Sequence, residues 1–140
     1  MTKSILITVN ILLFSTTIFA VTPTAPVKKS FQEKFPASKN VIWGKENATE
    51  YEADFTFKGN KISANFNTDG TWIETEQQIT VAALPKAVAA AIQKKYAGWK
   101  ITEADKTETA KNGLIYEADI KSGTQKKEVA YKEDGTPVTE

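Results

Sequence analysis

The chain has 140 residues, no cysteine and no histidine, and its 18 basic residues, all lysine, face 17 Asp and Glu for a formal net charge of +1. Without thiols or imidazoles it forms no disulfide, no thiol or Ser-His-Asp nucleophile and no imidazole-ligated metal site. A near-neutral chain without arginine has no basic stripe to neutralise phosphates, which speaks against nucleic acid as a partner.

Residues 1–20 read as a secretory signal peptide: Lys3 supplies the positive end, Ile5 to Phe14 the apolar stretch, and Ile18-Phe19-Ala20 a small residue at the cut. Asn10 and Ser15-Thr16-Thr17 interrupt the run well short of the ~20 apolar residues that a spanning helix needs. The expectation is a periplasmic or secreted protein with no membrane span after cleavage. Residues 21–26 hold Pro23 and Pro26 and read as an extended leader. About 120 residues remain, enough for one compact core.

That remainder repeats itself. Tyr51-Glu52-Ala53-Asp54 recurs 65 residues on as Tyr116-Glu117-Ala118-Asp119, and Asp69-Gly70 recurs at the same spacing as Asp134-Gly135. A period of this size marks one supersecondary unit used twice, here over residues 27–80 and 81–140. In the first unit Val27, Phe31 and Phe35 form a helical stripe that Pro36 stops. Val41 and Trp43 then alternate with polar residues, as do Tyr51, Ala53, Phe55 and Phe57, then Ile62, Ala64 and Phe66, then Ile73, Thr75 and Ile79. Lys58-Gly59-Asn60 and Thr68-Asp69-Gly70 are turns. In the second unit Pro85 opens a helix with a stripe of Val88, Ala91, Ile92, Lys95 and Tyr96, ended by Gly98. Leu114, Tyr116, Ala118 and Ile120, then Val129 and Tyr131, alternate after it. The helices are 61 residues apart (31 to 92) and the strands 65, so the second unit holds a four-residue insertion between Thr107 and Gly113, where Asn112-Gly113 is a hairpin turn.

Strict alternation predicts antiparallel sheet with one dry and one wet face. The fold class is therefore α+β: two tandem repeats, each a helix on a roughly four-stranded antiparallel sheet, sharing a core or continuing one sheet. The wet face of the first sheet collects Glu50, Glu52, Asp54, Glu74 and Glu76, with Trp72 at the same parity, either open to solvent or covered by the second unit or the leader. Glu117, Asp119 and Ile115 point outward in the second. These six residues of the first sheet are the candidate partner-binding surface, an aromatic anchor among carboxylates. Asn65 to Glu76 approaches a calcium-loop pattern, with Asn67, Asp69, Gly70 and Glu76 in place, but both flanks alternate as strands where that motif needs helices.

The combination Phe31-x-x-x-Phe35-Pro36, Val41-x-Trp43, Tyr51-x-Ala53-x-Phe55, Asp69-Gly70-x-Trp72 and Leu84-Pro85-x-x-Val88-x-x-x-Ile92-x-x-x-Tyr96 resembles the PepSY-like family of small exported bacterial proteins, also called β-lactamase-inhibitor-like. The resemblance spans nearly all of the chain after residue 26. It implies a fold similar to β-lactamase inhibitory protein, whose sheet face opposite the helices contacts its enzyme, and it brings no catalytic residues and no cofactor. The expected function is a non-enzymatic exported module that binds a protein or peptide of the cell envelope through the sheet face, enzyme inhibition being its specific form. The alternative is a small-ligand or calcium binder using the same acids.

Overall fold

The computed structural model describes residues 21–138; the signal peptide expected over residues 1–20 lies outside them. Helix α1 (Ala25–Lys34) is followed by β1 (Lys39–Lys45), β2 (Glu50–Phe57), β3 (Asn60–Asn67) and β4 (Trp72–Ile79). A single 3-10 turn at Val81–Ala83 leads to α2 (Lys86–Lys95), then β5 (Lys100–Thr109), β6 (Gly113–Ser122) and β7 (Gln125–Tyr131). All seven strands form one antiparallel sheet in sequence order. The two halves continue one sheet through β4–β5 pairing, one of the two arrangements expected; they contribute four and three strands, where about four each were expected. After β7 the chain makes one isolated bridge, between Tyr131 and Pro137, which has no N–H to give a ladder.

The first helix starts earlier than its prolines suggest. Thr24 caps it, its hydroxyl accepting from Val27 N (3.5 Å) while donating to Thr68 O (2.8 Å). Ala25 and Pro26 therefore belong to α1 and not to an extended leader; the first turn needs no N–H from proline. The stripe Val27, Phe31, Phe35 is buried against β1–β4. Phe31 is the hub, with its ring 4.9 Å from Phe55, 5.1 Å from Trp43, 5.5 Å from Phe35 and 6.2 Å from Phe66. Each such pair adds ~0.5–1.5 kcal/mol beyond the burial itself. The second core has more aliphatic residues: Val88 and Ile92 of α2 pack on Ala104, Ala118 and Ile120, with Tyr116 and Tyr131 beside them. Beneath the helices the sheet is floored by alanine, with Ala53, Ala64, Ala104 and Ala118 all buried, which lets each helix approach closely.

Each half closes with the same turn. Gly70 N donates to Asn67 O and Asn67 N to Thr71 O, both 2.9 Å; 65 residues later Gly135 N donates to Lys132 O (2.9 Å) and Lys132 N to Thr136 O (2.8 Å). The aspartate before each glycine accepts the following threonine N–H, at 2.8 Å in both cases. This holds the Asp69 and Asp134 carboxyls below the usual range. Both glycines have positive φ, 91° and 84°, and both touch the start of a helix, where an added Cβ would lie 2.7 Å from Pro26 O or Ala87 O. Gly70→Ala is expected to lower unfolding free energy by ~1–3 kcal/mol through strain and overlap. Gly44→Ala, with open space and no positive φ, should stay within ~0.5 kcal/mol of the parent. Urea unfolding midpoints of the two variants check this.

Candidate binding face

The helices cover one side of the sheet, and alternation sends the acids to the other. Cross-strand pairing arranges them in rows. Glu52 pairs with Asn65, which pairs with Glu74. Asp54 pairs with Ser63, Ser63 with Glu76, Glu76 with Thr107, and Thr107 with Ile115. Asp105 pairs with Glu117, and Asp119 lies between Glu103 and Glu128. Glu50 sits at the margin, where Asn47 Nδ2 donates to its Oε2 at 2.9 Å.

At the centre Thr107 is 0% and Ile115 3% exposed, although neither belongs to a helix-side core. Among the described residues no helix lies over them; the side chains of neighbouring strands provide the cover. The sheet thus presents a shallow cup with Thr107 and Ile115 as its floor and carboxylates as its walls. The Thr107 hydroxyl donates to Glu117 Oε2 at 2.5 Å, which satisfies the buried donor.

Partial burial and mutual repulsion raise the proton affinity of these acids. Desolvation, then the neighbouring Asp54, Glu46 and Glu74, lift Glu52 to about 7. Desolvation, then Glu74, Glu117, Asp105 and Glu128, lift Glu76 to about 8. Glu128 rises to about 7 by desolvation and by Glu117, Asp119, Asp105 and Glu74. Asp54 is raised by desolvation, and Glu74, Asp105 and Asp119 by desolvation and neighbouring carboxylates, with Lys126 pulling Asp119 the other way. Among the described residues the one ion pair is Lys29–Glu33 on α1 at 3.9 Å, so no carboxylate of the cup is paired. No group of three or more acids among the described residues is placed to hold a metal ion. The stretch Asn65 to Glu76 is the β3–β4 turn and its flanking strands, not a loop between helices.

Five of the six residues expected on this face, Glu50, Glu52, Asp54, Glu74 and Glu76, lie there. Trp72 does not. Between β3 and β4 the register shifts, so Asn65 pairs with Glu74 but Phe66 with Trp72. This bulge flips the strand's start: Trp72 joins the helix-side core that Ile73 was expected to enter. Its Nε1 donates to Thr75 Oγ1 (3.0 Å), and Lys34 Nζ lies 3.7 Å from its ring centroid. In return the cup gains Glu103, Asp105 and Glu128 from the second half, beside the outward Glu117 and Asp119. One signal for two of these stands in the sequence. Glu103-Ala104-Asp105 repeats the Glu-Ala-Asp of 52–54 and 117–119, and all three alanines are buried under helices.

A family model described as "Putative beta-lactamase-inhibitor-like, PepSY-like" matches residues 49–137. The chain belongs to the PepSY-like family. Its fold is shared with solved structures from Bacteroides. A BLIP-like protein of B. fragilis NCTC 9343 is 19% identical, with 85% of each chain covered and a TM-score of 0.73. A DUF2874 family protein of B. ovatus ATCC 8483 is 23% identical, with 85% of this chain and 86% of that one covered and a TM-score of 0.73. A structure from B. eggerthii DSM 20697 described as "putative periplasmic proteins" is 15% identical, with 85% and 88% covered and a TM-score of 0.72. No curated protein matches the chain.

The raised carboxyls give the PepSY-like fold a definite pH dependence. Each binds its proton more tightly folded than unfolded, so protonation stabilises the native state. That contribution is full below the ordinary 4.5 and is lost as pH rises through about 7 to 8. The melting temperature is expected to be higher near pH ~5.5 than near pH ~8.5, and Glu76→Gln should narrow the gap by raising the value at the alkaline end. Thermal melts of both proteins at the two pH values check it.

Proposed function

We propose that this protein is an exported, non-enzymatic binding module that holds a basic segment of a protein or peptide against the acid-lined face of its sheet. The observation that carries the reading is a cup of half-buried carboxylates with no cation paired to any of them among the described residues. Charge held in this way raises the energy of the free protein, and a lysine- or arginine-bearing partner relieves it. The family resemblance adds support, since it implies that the face opposite the helices is the one that meets a partner. Inhibition of a cell-envelope enzyme is the specific form of this function. The calcium alternative has no comparable support, as the acids are spread along rows and not gathered around a point.

Export is part of the proposal. It rests on the signal-peptide pattern of residues 1–20 and on the neighbour described as "putative periplasmic proteins". No helix among the described residues is long and apolar enough to cross a membrane. We also read the chain as two copies of one unit, supported by the two matching turns. On that reading the cup is built by both copies.

A lysine-rich peptide serves as the probe. It should bind the parent protein with an affinity that falls as salt rises, and the Glu52→Gln, Glu74→Gln, Glu76→Gln triple variant should bind at least about tenfold more weakly. Removing three strained charges should leave that variant no less stable than the parent. Calorimetric titration checks both; equal binding by parent and variant would rule out the acid face as the site.

A further inference from the structure

A second candidate site lies at the edge of the helix-bearing side. A cavity of about 740 Å³ opens where the end of α1 meets the β2–β3 hairpin. Phe57, Pro36 and Ala37 form its apolar wall, and Lys34, Lys39 and Lys58 line it against the one carboxylate of Glu33. Glu33 is drawn toward Lys29 at 3.9 Å, and Lys34 lies 3.7 Å from the Trp72 ring. Lys58 Nζ stands 5.1 Å from the Phe57 centroid. The cavity is therefore positive where the cup is negative.

The second half shows what is particular about this corner. The helix ends correspond residue by residue: Phe35 and Tyr96 cap with nearly the same backbone angles, and Ser38 N donates to Phe35 O as Trp99 N donates to Tyr96 O. Where the second half places Gly98 (φ 81°), the first places Ala37 (φ 65°). Where the second hairpin has Gly123 (φ 57°), the first has Lys58 (φ 50°). Both positions are left-handed backbone that glycine occupies without strain, yet here they carry side chains. Of the three non-glycine residues of positive φ among those described, Ala37 and Lys58 line this cavity and Asn40 follows Lys39, which also lines it. Strain gathered at one pocket directs attention to what the pocket holds. The aromatic filling differs as well. Trp99 packs on Tyr96 at 5.9 Å, whereas Ser38 stands at the matching position and Phe57 packs on Phe35 at 5.5 Å. The first half lacks an indole where the second has one.

We propose that this cavity binds a small aromatic anion, its ring against Phe57 and Pro36 and its carboxylate between Lys39 and Lys58. This site is separate from the acid face, and its failure would leave that reading standing. Indolepropionate and tryptamine, the same ring with opposite charge, are the probes, followed by amide NMR. Indolepropionate is expected to shift Ala37, Phe57 and Gly59 saturably, while tryptamine leaves them in place. The Lys39→Gln, Lys58→Gly double variant should bind indolepropionate at least about tenfold more weakly. It should melt no lower than the parent, since glycine removes the left-handed strain at position 58. Phe57→Ser, which copies Ser122 of the second half, should lose binding too; if it does not fold, the lysine variant decides. No saturable shift at these amides, an equal response to both probes, or undiminished binding by the lysine variant would overturn the proposal.

Discussion

Both helices pack on the same side of one continuous sheet, so every strand has a face that must be apolar and a face that is left to water. Three strands meet this demand with the same Glu-Ala-Asp triplet, its alanine under a helix and its acids on the far side. Antiparallel pairing then lines up acids from neighbouring strands across the sheet, Asp105 beside Glu117 and Asp119 beside Glu128. Like charges opposite one another are destabilising, and partial burial adds to the cost. The helix-side cores, with Phe31 against four other rings and Ile92 on a floor of alanine, are what sustain that arrangement.

The acid face is thus a by-product of folding in its position but not in its composition. Alternation requires polar residues there, and Ser, Thr, Asn, Gln or Lys would serve without repulsion. Asn65, Ser63 and Gln78 show that neutral residues fit the same rows. Glu52, Glu74, Glu76 and Glu128 instead place carboxyls where water is already partly excluded. A surface that is costly in the free protein becomes favourable once a partner brings positive charge, which is how electrostatic complementarity confers specificity.

Much of this was legible from residue order, and the departures have physical causes. Period-two alternation located the strands and assigned Tyr51, Ala53, Phe55, Tyr116, Ala118 and Ile120 to the helix side. The stripe of Val27, Phe31 and Phe35 located α1. A bulge defeats such reasoning, because one extra residue reverses the parity of everything beyond it. That is why Trp72, expected among the acids, lies under Lys34 on the helix side. Glu117 and Asp119 were legible as outward, but Glu103, Asp105 and Glu128 join them only through the pairing of β5 with β4 and β6 and of β7 with β6. With β4 paired to β5, Glu76 stands opposite Thr107 and the cup spans both halves. Pro36 and the Lys58-Gly59-Asn60 turn were legible, but not that they meet in a lysine-lined corner, since nothing in Ala37 or Lys58 announces left-handed backbone where glycine is the usual occupant.

Whether carboxyls on the uncovered face are held in a destabilised, ionisable state is read from the side-chain carboxyl carbons of Glu52, Glu76 and Glu128 in an NMR pH titration. Midpoints are expected well above the ordinary 4.5, at about 8 for Glu76 and about 7 for the other two. Midpoints for all three at the ordinary value would contradict that state.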